Sequence, residues 1–279
     1  MRTLKELLKY GEDALLSRNI PNGRMEAWYL LEYICGIRRV EYLMAPDSEA
    51  DVQEERRYIN CINERILRKP LQYIMHTASF MGFDFMVTPS VLIPRQDTEI
   101  LVETILPFIY SEDMEILDMC TGSGCILLSL MKLSGVKKGT GADISSDALD
   151  VARMNGIFLQ MDGASWIQSD LFEKICGKYD IIVSNPPYIP TEIIDGLMPE
   201  VKDYEPKLAL DGEADGLAFY RRIINDCEGF LKPGGMLFFE IGCEQGEAVE
   251  GLMGAAHFES IHRVKDLTGL DRVVYGSRI

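Results

Sequence analysis

The sequence predicts an α/β protein: a mostly parallel sheet with an antiparallel edge, preceded by a small helical bundle and a linking β-hairpin. Three observations predict it. Apolar residues recur at helical spacing up to about residue 70. Between 81 and 88 the period drops to two. From about 114 onward strand-like and helix-like runs alternate, the pattern of a parallel sheet covered on both faces. This divides the chain into a bundle (1–70), a hairpin linker (71–90) and an α/β domain (91–279).

Thr3-Leu4-Lys5-Glu6 reads as a capping box, and Leu4, Leu7, Leu8 and Leu15 continue it at helical period. A second stripe, Ala27, Leu30, Leu31 and Ile34, closes at Gly36. A third, Val52, Ile59, Ile62 and Ile66, is stopped by Pro70. Met81, Phe83, Phe85 and Val87 then alternate with Gly82, Asp84, Met86 and Thr88, as in a hairpin. Strands are expected at Glu115–Met119, Gly139–Asp143, Ser165–Gln168, Asp180–Ser184 and Met236–Ile241. Helices are expected near 124–134, 146–160, 215–231 and 244–255, with Lys232-Pro233-Gly234-Gly235 as a turn. No helix fits between 258–264 and 272–277, so these form an antiparallel pair.

Composition narrows the function. The 279 residues carry 28 Lys+Arg against 44 Asp+Glu, a formal charge of −16. Residues 1–75 hold 12 basic and 12 acidic side chains, so the whole excess lies in residues 76–279. An acidic catalytic half repels a phosphate backbone, which argues against a direct nucleic-acid substrate. The first residues lack an apolar signal core, and no run approaches the ~20 apolar residues of a membrane span. Seven scattered cysteines without C-x-x-C, and three His, suggest neither a disulfide framework nor a metal site. The expectation is a reduced, cytoplasmic, metal-free protein, with nothing pointing beyond a monomer.

Chemistry concentrates at predicted strand ends. Leu117-Asp118-Met119-Cys120-Thr121-Gly122-Ser123-Gly124 joins a strand to a helix, where α/β sheets bind ligands. Leu127 stands where G-x-G-x-x-G needs its third glycine, which disfavours a dinucleotide; a mere tight turn is the alternative. Asp143 ends the next strand, 21 residues after Gly122. It can accept both hydroxyls of a ribose, or simply cap the helix near Ser145. Together these features suit an adenosine cofactor without pyrophosphate, such as S-adenosylmethionine. Ser184-Asn185-Pro186-Pro187-Tyr188 follows a buried strand directly, and its prolines hold the loop rigid. The Asn185 carbonyl and a backbone carbonyl can accept both hydrogens of an –NH2 group, while Tyr188 packs on a planar amide or base. An ordinary proline-rich turn is the bland alternative.

This constellation resembles class I methyltransferases acting on planar –NH2 nitrogens of adenine, cytosine, guanine or glutamine. Further segments narrow it: Lys69–Ile74, Val91–Glu99, Ser169–Phe172, Tyr204-Glu205-Pro206, Asp215-Gly216-Leu217, Glu240-Ile241-Gly242 with Gln245, Lys265-Asp266-Leu267 and Asp271–Val274. These resemble the peptide chain release factor glutamine N5-methyltransferases along almost the whole chain. The resemblance implies methyl transfer from S-adenosylmethionine to the Gln of a release factor's Gly-Gly-Gln. It implies cofactor contacts at Cys120, Thr121, Gly122, Ser123, Gly124, Asp143, Trp166 and Asn185, with Trp166 flanking adenine. It also implies a substrate clamp of Asn185, Pro186, Pro187 and Tyr188, of which Asn185, Pro186 and Tyr188 are catalytic. The family usually has Gly where this chain has Cys120. Read alone, Trp166 is equally a core aromatic. Asp170 either accepts from the adenine amino group or caps a turn, and Arg95 and Glu99 either shape the cofactor's methionine end or pair with each other. Whether Glu240 faces the site is not legible.

Overall fold

The computed structural model describes residues 1–278, which fall into two compact units. The first comprises Met1–His76 together with Met198–Tyr204. Its helices are α1 (Leu4–Ser17), α2 (Gly23–Cys35), α3 (Arg39–Met44), α4 (Val52–Ile66) and α5 (Leu71–Met75). The capping box forms as expected: the Glu6 N–H donates to Thr3 Oγ1, and the Thr3 N–H donates to Glu6 Oε2. Leu4, Leu7, Leu8 and Leu15 are buried along one face of α1. Gly11 allows α4 to approach closely, because a Cβ there would stand 2.0 Å from Tyr58 Oη. α2 stops at Gly36, whose φ of +63° is left-handed.

The third stripe differs from expectation. The face of α4 that is buried carries Tyr58, Ile62 and Arg65, while Val52 is exposed. Arg65 tolerates burial because Glu26 (2.5 Å) and Glu200 (3.1 Å) neutralise it. Period alone could not reveal a cation on the core face. The helix also ends before Pro70: Arg68 turns left-handed (φ +73°), and Pro70 caps α5 instead. Glu200 lies in a single helical turn, Pro199–Lys202, and Tyr204 Oη donates to the Leu67 carbonyl at 2.6 Å.

The second unit, Thr77–Leu197 and Glu205–Ile279, starts with the hairpin β1 (Thr77–Phe80) and β2 (Phe83–Met86). Met81 and Gly82 form its turn rather than part of a strand. Next come α6 (Gln96–Ile105), β3 (Glu115–Met119), α7 (Cys125–Ser134), β4 (Lys138–Asp143), α8 (Ser146–Phe158), β5 (Ala164–Gln168) and β6 (Tyr179–Ser184). The helical turns α9 (Thr191–Ile194) and α10, the Pro199–Lys202 turn of the first unit, precede α11 (Ala218–Asp226). The chain finishes with β7 (Leu231–Glu240), α12 (Gly246–Ala255), β8 (Glu259–Lys265) and β9 (Asp271–Ser277). α6 has no counterpart among the expected elements.

The sheet order is β5-β4-β3-β6-β7-β9-β8. The first five strands run parallel; β9 is antiparallel to β7 and to β8. Alternation sends Leu117 and Ile182 into one core with Tyr220 and Phe239, and Ile116, Ile181 and Val183 into the other with Leu101 and Phe238. Lys232–Gly235, expected as a turn before β7, bulge within it. Tyr179 pairs with Leu231 and Ile181 with Met236, so four residues loop out at a Pro that cannot donate and a left-handed Gly234.

Candidate active site

The order reverses direction around β3, so the loops leaving β3, β4 and β6 meet beyond the carboxyl ends of the strands. A cavity of about 210 Å³ opens there. Cys120, Thr121, Gly122 and Ser123 line it from the β3 loop, Asp143 and Ile144 from β4, and Asn185 and Pro187 from β6. The expected glycine turn, the ribose acid and, of the clamp, Asn185 and Pro187 therefore line one cavity.

The β3 loop is fastened from below. Thr121 Oγ1 donates to Asp118 Oδ2 at 2.6 Å, and Gly124 N–H donates to the Thr121 carbonyl. Asp118 is fully buried, and desolvation raises its carboxyl to about 7. Cys120 has φ +62°, a conformation that suits glycine, so the side chain here carries backbone strain. Gly122 is also left-handed (φ +55°), and a Cβ on it would meet no protein atom within 4 Å, leaving space against the backbone. Asp143 Oδ2 accepts from the Gly122 N–H and Oδ1 from the Ser145 N–H. Burial raises its pKa, although these backbone donors act against the rise.

Gly124 and Trp166 are not in the cavity lining. Trp166 is half-buried and packs against the core, and a Cβ at Gly124 or Gly141 would stand 2.8 or 2.5 Å from its ring. Ile144 and Leu171 occupy the lining at the β4 and β5 ends. Trp166 is mid-strand, paired with Gly141 one strand over.

Ser184 Oγ donates to the Met119 carbonyl at 2.7 Å, joining β6 to β3 just ahead of the proline loop. Asn185 Nδ2 donates to Thr98 Oγ1 at 3.5 Å. The loop's far end is tied by Gln245 Nε2, which donates to the Tyr188 carbonyl at 3.0 Å, and by Ile189, which bridges to Asp211. Gly212 and Gly216 pack on the Tyr188 backbone, where any Cβ would come within 2.7 and 2.3 Å. That explains why two glycines sit in this stretch. Among the described residues, these ties leave Asn185 Oδ1 and the Pro186 carbonyl without a bonded donor. Pro186 and Tyr188 lie behind the lining; Tyr188 Oη donates to Glu240 Oε1 at 3.4 Å.

Other charges are paired differently from expectation. Arg95 lines the cavity but donates to both oxygens of buried Glu205 at 2.6 Å, not to Glu99. Glu99 instead accepts from the Met81 N–H and pins the hairpin turn. Asp170 pairs with Arg222 at 2.8 Å, and both line the cavity. Arg222, Thr98 and Glu205 were missed as site residues. Thr98 and Glu205 lie in segments whose resemblance was noted, but only the fold brings them to the loop.

A parallel sheet with this order, a glycine turn and an acid at adjacent strand ends define a class I methyltransferase. Residues 6–75 match the family described as the PrmC N-terminal domain, and residues 95–195 match the methyltransferase small domain. The chain is 39% identical to a release factor glutamine methyltransferase of Geobacter sulfurreducens, covering 98% of this chain and 96% of that one. It is 41% identical to a relative of the same name from Clostridium acetobutylicum, over 89% of both chains. A methyltransferase structure from Pyrococcus furiosus shares the fold, with a TM-score of 0.54 and 17% identity over 77% of this chain and 96% of that one. The chain belongs to the release factor glutamine methyltransferase family.

Proposed function

We propose that this protein transfers a methyl group from S-adenosylmethionine to the side-chain amide nitrogen of the Gln in a release factor's Gly-Gly-Gln. The observation that carries the reading is the convergence of Asn185, Gly122 and Asp143 on one cavity in a chain of this family. The residues present fit the cofactor. Asp143 has lone pairs left for ribose hydroxyls, Gly122 leaves its backbone open to approach, and Ile144 and Leu171 offer apolar walls for a purine. When bound, the cofactor supplies an electrophilic methyl on a sulfonium.

The protein's part is placement. An amide nitrogen is a poor nucleophile, because its lone pair is delocalised into the carbonyl. Asn185 Oδ1 and the Pro186 carbonyl would accept its two N–H bonds and aim the nitrogen for in-line attack. Fixed dipoles and orientation then supply the acceleration. The two prolines matter because they hold these acceptors without reorganisation. The nitrogen becomes acidic only after it gains the methyl, so its N–H would stay hydrogen-bonded to Asn185 Oδ1 until then and its proton would pass late to solvent. The helical residues 1–70 would dock the factor, 71–90 would link, and 91–279 would carry the chemistry.

The test is methyl transfer by the full chain from labelled S-adenosylmethionine. Label should enter an intact release factor and not one whose Gly-Gly-Gln has Ala for Gln, nor DNA or RNA. Label retained by the Ala factor, or entering nucleic acid instead, overturns the reading.

A further inference from the structure

Gln245, the residue before α12, commits every polar group of its amide to one junction. Its Nε2 donates to the Tyr188 carbonyl at 3.0 Å and to the Gly216 carbonyl at 3.2 Å. Its Oε1 accepts from the Gly242 N–H at 2.9 Å and from Tyr220 Oη at 3.4 Å. Three separate stretches meet there: the end of the proline loop after β6, the turn before α11 and the turn after β7. The Gln245 N–H also donates to the Gly242 carbonyl, so the turn that carries the amide is closed from both sides. The fit is tight: a Cβ on Gly216 would stand 2.7 Å from Nε2, and one on Gly242 2.9 Å from Oε1.

Two carbonyls on one side and an N–H on the other admit one orientation of this amide, and call for an amide. A carboxylate could accept from Gly242 but would set its charge against two carbonyl oxygens. An apolar chain of the same length would leave all three backbone groups unpaired. What the junction holds matters because of the prolines. Pro186 and Pro187 have no N–H, so between Asn185 and Tyr188 the backbone donates no bond that could fix its own path. The loop is placed from its ends. Ser184 Oγ ties the near end to the Met119 carbonyl, and Gln245 ties the far end, at Tyr188.

We propose that Gln245 is a positioning residue: by bridging the Tyr188 and Gly216 carbonyls, it holds the proline loop where Asn185 Oδ1 and the Pro186 carbonyl can both receive the substrate –NH2. The inference rests on the methyl-transfer reading for what those acceptors receive. The bridge itself rests on the hydrogen bonds of the Gln245 amide. Gln245 does not line the cavity, so it acts through the loop and not on a ligand. Its mark is a loss in kcat without a matching loss of cofactor binding, since a shift of about 1 Å at a positioning group can cost about 100-fold.

The experiment compares the full-length wild type, Gln245→Met and Gln245→Glu. Gln245→Met should lower kcat on an intact release factor about 10- to 100-fold, with S-adenosylmethionine Kd changed less than about threefold. Gln245→Glu adds a pH profile. Burial holds the Tyr188 and Tyr220 phenols above their ordinary range, so they stay neutral and the new carboxyl titrates beside them. Protonated, it regains one donor; ionised, it repels the carbonyls. The ratio of its kcat to the wild-type kcat, in which the titration of Glu240 is common to both, should rise as pH falls from about 8 to 5. The Ile189 and Gly212 amides, which bond across the loop beside the bridge, should exchange hydrogen faster in Gln245→Met. Near-normal kcat in Gln245→Met, cofactor affinity that falls as far as kcat, a flat ratio for Gln245→Glu, or unchanged exchange overturns the proposal. If the wild type methylates no release factor while those amides still quicken, the bridge stands as a tie on the loop and the substrate reading falls.

Discussion

Asp143 Oδ2 accepts the Gly122 backbone N–H at 2.9 Å, while Oδ1 accepts that of Ser145 at 3.0 Å. One carboxylate thus joins the end of β4 to the glycine turn after β3 and to the entrance of α8. It shapes the cavity and lines it at once.

Asp143→Ala should therefore weaken S-adenosylmethionine binding by ~1–3 kcal/mol, through lost charged hydrogen bonds and a looser turn. Isothermal titration measures it. Binding of NAD by the wild type that is comparable to or tighter than that of S-adenosylmethionine would remove the S-adenosylmethionine assignment.

Asn185→Ala should cut methyl transfer to a release factor at least ~100-fold, as removal of an oriented catalytic group does elsewhere. Cofactor affinity, measured on the same preparation, should fall far less. Near-normal turnover would take Asn185 out of the mechanism.

Trp166 and Ile144 make a contrasting pair. Trp166→Leu should cost about 1–2 kcal/mol of stability by uncovering Gly124 and Gly141, while the folded variant keeps its cofactor affinity. Ile144→Glu lies on a half-exposed wall of the cavity. It should stay within ~0.5 kcal/mol of wild-type stability but bind cofactor weakly. Denaturation and titration on both variants decide which residue faces the ligand.

Asp118 and Glu240 are both raised to about 7 by burial, against ~4 in an unfolded chain. Between those values the folded state binds more protons than the unfolded one, so both groups make stability fall as pH rises through that window. Asp118→Asn should flatten the decline. Melting temperatures from pH 4.5 to 8 test it, and an unchanged slope would show that Asp118 does not titrate there.

Arg65→Met should destabilise the helical unit by ~1–3 kcal/mol, because the half-buried Glu26 loses its cation while Glu200 keeps only Arg68. Hydrogen exchange would localise the effect to α2, α4 and residues 198–204. A change confined to the sheet would contradict it.

The sequence by itself determined the order of elements, most strand limits to within a residue or two, and the loops that bear Gly122, Asp143 and Asn185. These are local matters: period sets which face is buried, and Gly and Pro mark where backbone leaves a strand. It did not show α6, a ten-residue helix hidden in a stretch read only as a motif. Nor did it show the Leu231–Met236 bulge, where a turn-like composition is absorbed into a strand by its neighbours. Tertiary structure alone decided which side chains share space. Trp166 and Leu171 are five residues apart, yet only Leu171 borders the cavity, because a strand ends between them. Arg95 pairs with Glu205, 110 positions away, rather than with Glu99 on its own helix. Thr98 and Asn185 come from α6 and the β6 loop, and no spacing along the chain records their meeting. Hydrogen-bond partners follow from packing across elements, and packing is a property of the folded chain.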